Sequence, residues 1–306
     1  MQINLGVNLS FVGTRWVKPE EWTRIVAEDL KVKYVQFFSD ILDPIFTPLS
    51  LREKTCDKIK KLCQRYGIII QSNFSGTIPH CLNLLFHPDK EMRDASVKWF
   101  ENGIEDTLRM GSFGYGSFFG ALPQKSLLNN EEKDSLIEEF LSKWHYLSKV
   151  GKEKGLKFML FEPMSCRREI PSTISETKWW YKKLNEVSDL PVHLLIDVGH
   201  GNVNSPERKD ADPYAWLKEF SKETLVIHLQ QTDRLTSKHW PFTREYNQKG
   251  VIDAKRIIKI FQDREREIYF FIEISYPPFE PFDEMILDHL KESVDYWKNA
   301  LEKQRS

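Results

Sequence analysis

Four polar side chains interrupt apolar runs in the second half of the sequence. Glu162 ends "LKFMLFE", Asp197 ends "VHLLID", His228 lies in "TLVIHLQ" and Glu273 lies in "IYFFIEI", at intervals of 35, 31 and 45 residues. Burying an unpaired carboxylate is costly, so each of these acids requires a compensating partner. Three carboxylates and one imidazole form a mostly hard ligand set, which suits Mn²⁺, Mg²⁺ or Co²⁺ and also accommodates Zn²⁺.

These side chains can meet only if the surrounding elements bring their runs together. Short aliphatic or aromatic runs alternate with longer amphipathic stretches, as is typical of βα units and a parallel sheet. Helix-start signals lie between the runs, such as the proline of "PEEWTRIVAEDL" and the predicted N-cap Asp253 of "DAKRIIKIFQ". We predict eight strands, at residues 3–9, 33–38, 67–73, 114–120, 156–162, 192–197, 224–230 and 268–274.

Eight such units predict an α/β fold, a (β/α)₈ TIM barrel formed by one domain over residues 1–306. A doubly wound sheet would more often carry a glycine-rich loop after its first strand, whereas "SFVGTRW" follows it here. The C-terminal strand ends of a barrel line the active site. Strands five to eight therefore each deliver one polar side chain to that face, and we predict a divalent metal ion held by Glu162, Asp197, His228 and Glu273.

Each of these residues also has an ordinary structural interpretation. An aspartate before glycine is commonly a turn or N-cap residue, and a histidine in an aliphatic strand is commonly a hydrogen-bonded core residue. Four such structural roles arising independently at equivalent heights on successive strands would be less common than four residues that bind one metal ion. The pattern as a whole therefore favours the metal site.

The composition limits the classes of partner. Lys and Arg number 44 against 45 Asp and Glu, for a net charge of -1, and no basic stripe indicates nucleic-acid binding. The first residues lack the pattern of a signal peptide, and no apolar run reaches the roughly 18 residues of a membrane span, so we expect a cytoplasmic protein without a membrane partner. Cys56 and Cys63 lie about 10 Å apart on one predicted helix, so no disulfide framework is expected.

The motifs around the four residues resemble the xylose isomerase-like sugar isomerases and epimerases, a (β/α)₈ family that shares its fold with endonuclease IV. The resemblance covers nearly the whole chain, through "LGVNLSF", "EPMSCRRE", "DVGHGN", "HLQQTD" and "FIEISYP". By analogy with the family's ketose 3-epimerases, it implies that Glu162 and Glu273 bind the metal and move protons. It also implies that Asp197 and His228 complete the coordination and that His200 contacts a substrate oxygen. The stretches "NLSFVGTRW" and "VQFFSDILDP" look like a subgroup that includes isomerases of the branched sugar apiose.

Five further residues are candidate substrate contacts. Arg167 and Arg168, in the loop after the fifth strand, could bind hydroxyls, a carboxylate or a phosphate, or could be a solvated loop pair. Arg234 falls where some epimerases of the resembled family place a substrate-contacting arginine. His239 and Trp240 follow the seventh strand in a loop long enough to fold over the barrel mouth, although a surface-packed tryptophan is the alternative.

This arrangement suits proton transfer next to a carbonyl. A chelated divalent cation stabilises the enediolate that forms when an α-proton leaves, and a carboxylate must take that proton. Two bases on different sides of the sugar would give epimerisation, whereas one base that shuttles the proton would give aldose–ketose isomerisation. We therefore predict a sugar isomerase or epimerase acting on a small aldose or ketose. The lack of a phosphate-loop motif favours an unphosphorylated sugar, with a tetrulose or pentulose phosphate as the alternative.

Two other classes of function stay open at this point. An endonuclease IV-like phosphodiesterase would need more ligating histidines than a chain with 8 in all readily supplies, and would have to hold DNA phosphates at a net charge of -1. A catalytically silent sugar-binding barrel is the alternative without enzyme activity. The resemblance also implies a homo-oligomer, because family members are commonly dimers or tetramers.

Overall fold

A computed structural model of the protein describes residues 2–277 and 280–304. Eight parallel strands close into a barrel in chain order, and the eighth strand pairs with the first. The predicted (β/α)₈ architecture is therefore confirmed. The strands are β1 Ile3–Asn8, β2 Tyr34–Phe38, β3 Ile69–Phe74, β4 Gly114–Ser117, β5 Phe158–Phe161, β6 Val192–Asp197, β7 Thr224–Leu229 and β8 Ile268–Ile272.

The helices begin where the sequence supplies capping residues. Asp253 accepts a hydrogen bond from the backbone N–H of Arg256, as its predicted role as an N-cap requires, and Pro19 occupies the first turn of the first helix. The α-helices of the described part of the chain are α1 Pro19–Arg24, α2 Leu49–Tyr66, α3 Ile78–Cys81, α4 Lys90–Arg109, α5 Gln124–Leu128, α6 Asn130–Lys154, α7 Ile174–Val187, α8 Pro213–Glu219, α9 Arg244–Lys249, α10 Ala254–Ile260 and α11 Ile286–Glu302.

Five of the eight strands end earlier than the sequence predicts, β5 and β8 among them. Glu162 and Glu273 were expected inside β5 and β8, but each lies directly after its strand. The backbone N–H of Glu162 still donates to the carbonyl of Ser117 at 3.3 Å, and that of Glu273 to the carbonyl of Leu229 at 2.9 Å. Both side chains are therefore held at the C-terminal rim of the barrel by the last hydrogen bonds to the neighbouring strand.

The core has two layers, one inside the barrel and one between the sheet and the helices. In the outer layer the ring of Phe119 lies 4.7 Å from that of Trp144 on α6, measured between centroids. Trp22 and Trp297 are likewise fully buried. This packing fixes the strands, and with them the residues at their ends, in one arrangement. No helix within residues 2–277 and 280–304 combines the length and apolar character needed to cross a membrane.

Candidate metal and catalytic site

The four polar side chains predicted from the ends of strands five to eight converge at the rim of the barrel. Nδ1 of His228 lies 2.9 Å from Oε2 of Glu273 and 3.6 Å from Oε1 of Glu162. Asp197 is the register partner of His228 on the neighbouring strand. Glu162, Asp197 and His228 each offer a ligand atom within 4.8 Å of those of the other two. The spacing of the sequence thus translates into one compact cluster.

The chemistry of this cluster fits a divalent cation. All four side chains are buried, with whole-residue exposures of 0 to 6%. Oε1 of Glu162 and Nδ1 of His228 have no hydrogen-bond partner among the described residues, although they face each other. A buried oxygen and a buried imidazole nitrogen that both lack a hydrogen bond are destabilising unless a third group meets them. A cation shared by these atoms would satisfy both.

The pKa values of His228 and Glu273 also indicate a site that favours a positive charge. Burial alone would lower the pKa of His228, but the negative charges of Glu273 and Glu162 outweigh it and raise the pKa to about 10. Burial would raise the pKa of Glu273, but the positive charge of His228 lowers it to about 2. Both shifts show that the acidic cluster favours a positive charge at this position.

Gln36 on β2 is a site residue that the sequence analysis missed. Its Oε1 accepts a hydrogen bond from Nε2 of His228, and it also accepts from Nδ2 of Asn8 at 2.8 Å. Its Nε2 donates to Oγ of Ser72 at 3.0 Å. Because Nε2 of His228 is the donor, Nδ1 remains as the atom that faces the cluster. Its sequence signal was a polar residue inside the apolar run "YVQFF", the same signal that marked His228.

Gln36→Met should weaken metal binding without removing a proposed ligand. The variant deletes the acceptor that fixes the orientation and tautomer of His228, and loss of such a partner typically lowers metal affinity about 10- to 100-fold. Metal affinity is measured by competition with a chelator of known affinity, and circular dichroism checks the fold. The control is Gln262→Met on the exposed surface beyond α10. Unchanged affinity in a folded Gln36→Met protein would contradict this role.

Gln230 holds Asp197 on the other side of the cluster. Its Nε2 lies 2.9 Å from both carboxylate oxygens of Asp197, and its Oε1 accepts from the backbone N–H of His239. The contact requires Gly199, because a Cβ atom there would lie 2.2 Å from the Gln230 side chain. The "DVGH" glycine thus lets Gln230, the residue directly after the next strand, reach the predicted ligand.

His239 was predicted in a loop that could fold over the barrel mouth, and its side chain lies directly beside the acidic cluster. Its Nδ1 is 3.6 Å from Oε2 of Glu273, and His239, Asp197 and His200 form a second set of ligand atoms within 4.8 Å of one another. Nδ1 of His200 lies 3.4 Å from Oε1 of Glu162, and its Nε2 lies 3.8 Å from Oδ2 of Asp197. Both histidines therefore border the space in which a substrate would meet the cluster.

The remaining predicted contacts separate into two groups. Arg167, Arg168 and Arg234 line one cavity of about 450 Å³ together with His200. Trp240 instead lies 5.3 Å from the ring of Tyr246, between centroids, and beneath lysine ammonium groups. Its substrate contact stays a prediction, and its observed contacts are those of a surface-packed side chain.

Comparisons with known proteins were consistent with this geometry. The model of the family described as xylose isomerase-like TIM barrel matches residues 25–302. A D-erythrulose 1-phosphate 3-epimerase from Brucella abortus (strain 2308) is 28% identical over 301 residues, covering 97% of this chain and 96% of the relative.

Two solved structures share the fold. A protein from Rhodospirillum rubrum ATCC 11170, described as a candidate xylose isomerase, superposes with a TM-score of 0.89 at 28% identity, covering 97% of this chain and 99% of its own. D-Psicose 3-epimerase from Clostridium cellulolyticum H10, solved with D-tagatose, gives a TM-score of 0.68 at 13% identity, with coverage of 97% and 99%. At that identity the second likeness shows the fold alone.

Proposed function

The chain belongs to the xylose isomerase-like TIM barrel family, and on that premise we propose that it is a divalent-metal-dependent 3-epimerase of a small ketose. It is an enzyme of the sugar isomerase and epimerase class. One observation carries the proposal: two buried carboxylates, Glu162 and Glu273, lie within 3.6 Å of the same nitrogen of His228 at the catalytic end of the barrel. The Brucella abortus relative is named a 3-epimerase, which supports C3 as the carbon whose configuration is inverted.

Four residues would hold the metal ion, namely Glu162, Asp197, His228 and Glu273. A bound divalent cation would polarise the carbonyl and the neighbouring hydroxyl of the ketose and so make the hydrogen on C3 more acidic. Three of the four ligands are carboxylates, which makes Mn²⁺ the first metal to test, followed by Mg²⁺, Co²⁺ and Zn²⁺.

The two glutamates would move the proton. One carboxylate would take the proton from C3, so that the C–H bond breaks, an O–H bond forms and the electron pair passes to the carbonyl as an enediolate. The other would return a proton to the opposite face of C3, which restores the carbonyl. Glu162 follows β5 and Glu273 follows β8, with the strands that carry Asp197 and His228 between them. The two carboxylates would therefore reach a substrate from different sides, as inversion requires. One glutamate acting alone between C1 and C2 would give aldose–ketose isomerisation, which is the alternative outcome.

Solvent exchange tests the function. The Mn²⁺-loaded protein is incubated in D₂O with a panel of small aldoses, ketoses and their phosphates, and the products are followed by NMR. A 3-epimerase incorporates deuterium at C3 and forms the C3 epimer. Deuterium next to a newly formed aldehyde carbon would indicate isomerisation instead. Absence of exchange on every sugar would identify a silent binder.

His200→Asn should impair turnover while leaving the metal in place. His200 borders the substrate space but is proposed to donate a hydrogen bond to a substrate oxygen, and loss of such a donor typically lowers kcat about 10² to 10³-fold. Metal content and kcat are measured on the same samples, with the surface variant His145→Asn as the control. Loss of metal from His200→Asn would instead make His200 a ligand, together with Asp197 and His239.

A further inference from the structure

The cavity beside the acidic cluster has a distinctive charge. Among the residues that the structure describes, its lining contains Arg167, Arg168, Arg234 and His200 but no aspartate or glutamate, in a chain whose net charge is -1. Its walls come mostly from the loops after β5, β6 and β7, the strand ends that also supply three of the proposed metal ligands, and α5 adds one side. An electropositive cavity thus adjoins a strongly acidic cluster, and each would attract a different part of one ligand.

The arginines of this cavity lack strong ion pairs. Within residues 2–277 and 280–304, neither Arg167 nor Arg168 forms an ion pair with a carboxylate, and Arg234 approaches Asp212 only at 3.8 Å. Elsewhere the described arginines include firmly paired ones, such as Arg109 with Asp57 at 2.8 Å. Three guanidinium groups around one cavity, with at most one weak internal partner, leave their N–H groups available to an anion.

Two hydroxyl groups in the lining could add donors. Oγ of Ser165 accepts a hydrogen bond from the backbone N–H of Gly201 at 3.3 Å, and Oγ of Ser237 accepts one from Gln230 at 2.8 Å. Among the described residues neither hydroxyl donates a hydrogen bond, so both protons are available to an anion. The donors available in the cavity therefore match an anion with several oxygens.

His200 connects the cavity to the reacting end of the site. It lines the cavity and lies within 3.4 Å of Glu162, the proposed base. A ligand that occupies both regions would have its carbonyl end at the cluster and its anionic end among the arginines. A volume of about 450 Å³ falls within the size range of small-molecule sites and accommodates a ketose of four or five carbons with one phosphate.

We propose that Arg167, Arg168 and Arg234 form the binding site for the phosphate of a phosphorylated short ketose, which is therefore the substrate class. This inference rests on the proposed function, whose site it extends. A phosphate monoester carries a charge of about −1.5 to −2 and presents three oxygens, which matches three guanidinium groups better than a carboxylate would. The relative from Brucella abortus is named for a substrate of this chemistry. The sequence-based preference for an unphosphorylated sugar is replaced by this proposal.

Paired substrates give the first test. The Mn²⁺-loaded enzyme is assayed with D-erythrulose 1-phosphate and with D-erythrulose. We expect kcat/KM to be at least about 10² to 10⁴ higher for the ester, because even two charge-assisted contacts, at roughly 10- to 100-fold each, amount to that factor. Arg234→Gln and the double variant Arg167→Gln with Arg168→Gln should raise KM for the ester about 10- to 100-fold, with a smaller effect on kcat. Arg244→Gln, on the exposed face of α9, is the matched control.

Binding of inorganic phosphate gives a second readout that needs no turnover. Isothermal titration of the Mn²⁺-loaded protein should show at least a tenfold loss of phosphate affinity in the arginine variants and no loss in Arg244→Gln, at equal metal content.

The two tests together separate the phosphate site from the epimerase function. If both sugars turn over equally and the variants bind phosphate normally, the phosphate site is refuted and the epimerase function stands. If neither sugar exchanges hydrogen with solvent but the arginine variants lose phosphate affinity, the proposed epimerase function fails and the phosphate-binding site stands. A sugar acid is assayed beside the two substrates, and a preference for it over the phosphate ester would overturn the assigned ligand.

Discussion

Asp197→Ala and His228→Ala should each lose the bound metal and all measurable turnover together, while the barrel stays folded. Both side chains are buried and serve only as ligands in the proposed scheme, so neither variant removes a base. Removing one of four ligands leaves the site with an open position and an altered charge, which lowers affinity and removes the activation of the substrate carbonyl. Metal content is measured by elemental analysis, turnover by deuterium exchange and folding by circular dichroism.

A second aspartate and histidine pair provides the matched control. Nδ1 of His145 lies 3.8 Å from Oδ1 of Asp189 on the outside of the barrel, where both side chains are partly exposed. Asp189→Ala and His145→Ala should retain full metal content and activity. Full metal occupancy in both Asp197→Ala and His228→Ala would show that these residues are not ligands.

The barrel and the convergence of the four site residues could be predicted because both depend on short-range patterns. Apolar runs of strand length recur with helical stretches between them, and a polar residue at the end of such a run is conspicuous. Strand ends were less accurate, since the apolar run around Glu273 continues past the last paired residue of β8. An apolar run indicates which residues are buried, whereas a strand ends where its regular pairing with the neighbouring strand ends. The sequence reports burial but not pairing.

The supporting residues could not be predicted because their roles depend on contacts between distant strands. Gln36 meets His228 only after the barrel closes, at a sequence separation of 192 residues. Gln230 reaches Asp197 only because Gly199 has no side chain in the way. The charge of the arginine cavity was hidden for the same reason, as Arg234 lies far along the chain from Arg167 and Arg168.

Glu273→Gln should separate metal binding from proton transfer. Glutamine keeps a carbonyl oxygen for the metal but cannot accept the substrate proton. We therefore expect the variant to retain part of its metal affinity while turnover falls about 10² to 10⁴-fold, the usual contribution of general acid–base catalysis. Glu162→Gln should behave in the same way. Metal content and kcat are measured together, with the exposed variant Glu265→Gln as the control.

Exchange of the C3 hydrogen then distinguishes the two mechanisms that this site allows. In the two-base mechanism, one carboxylate lies on each face of the sugar. Each single variant should then still exchange the C3 hydrogen of one epimer with solvent, because the remaining carboxylate can take and return a proton on its own face. The other epimer should show no exchange in that variant. Neither variant should complete the inversion. In a one-base isomerisation, only one of the two substitutions should stop exchange. Full activity of a folded Glu273→Gln protein would make Glu273 a structural partner of His228 and remove it from the proton-transfer scheme.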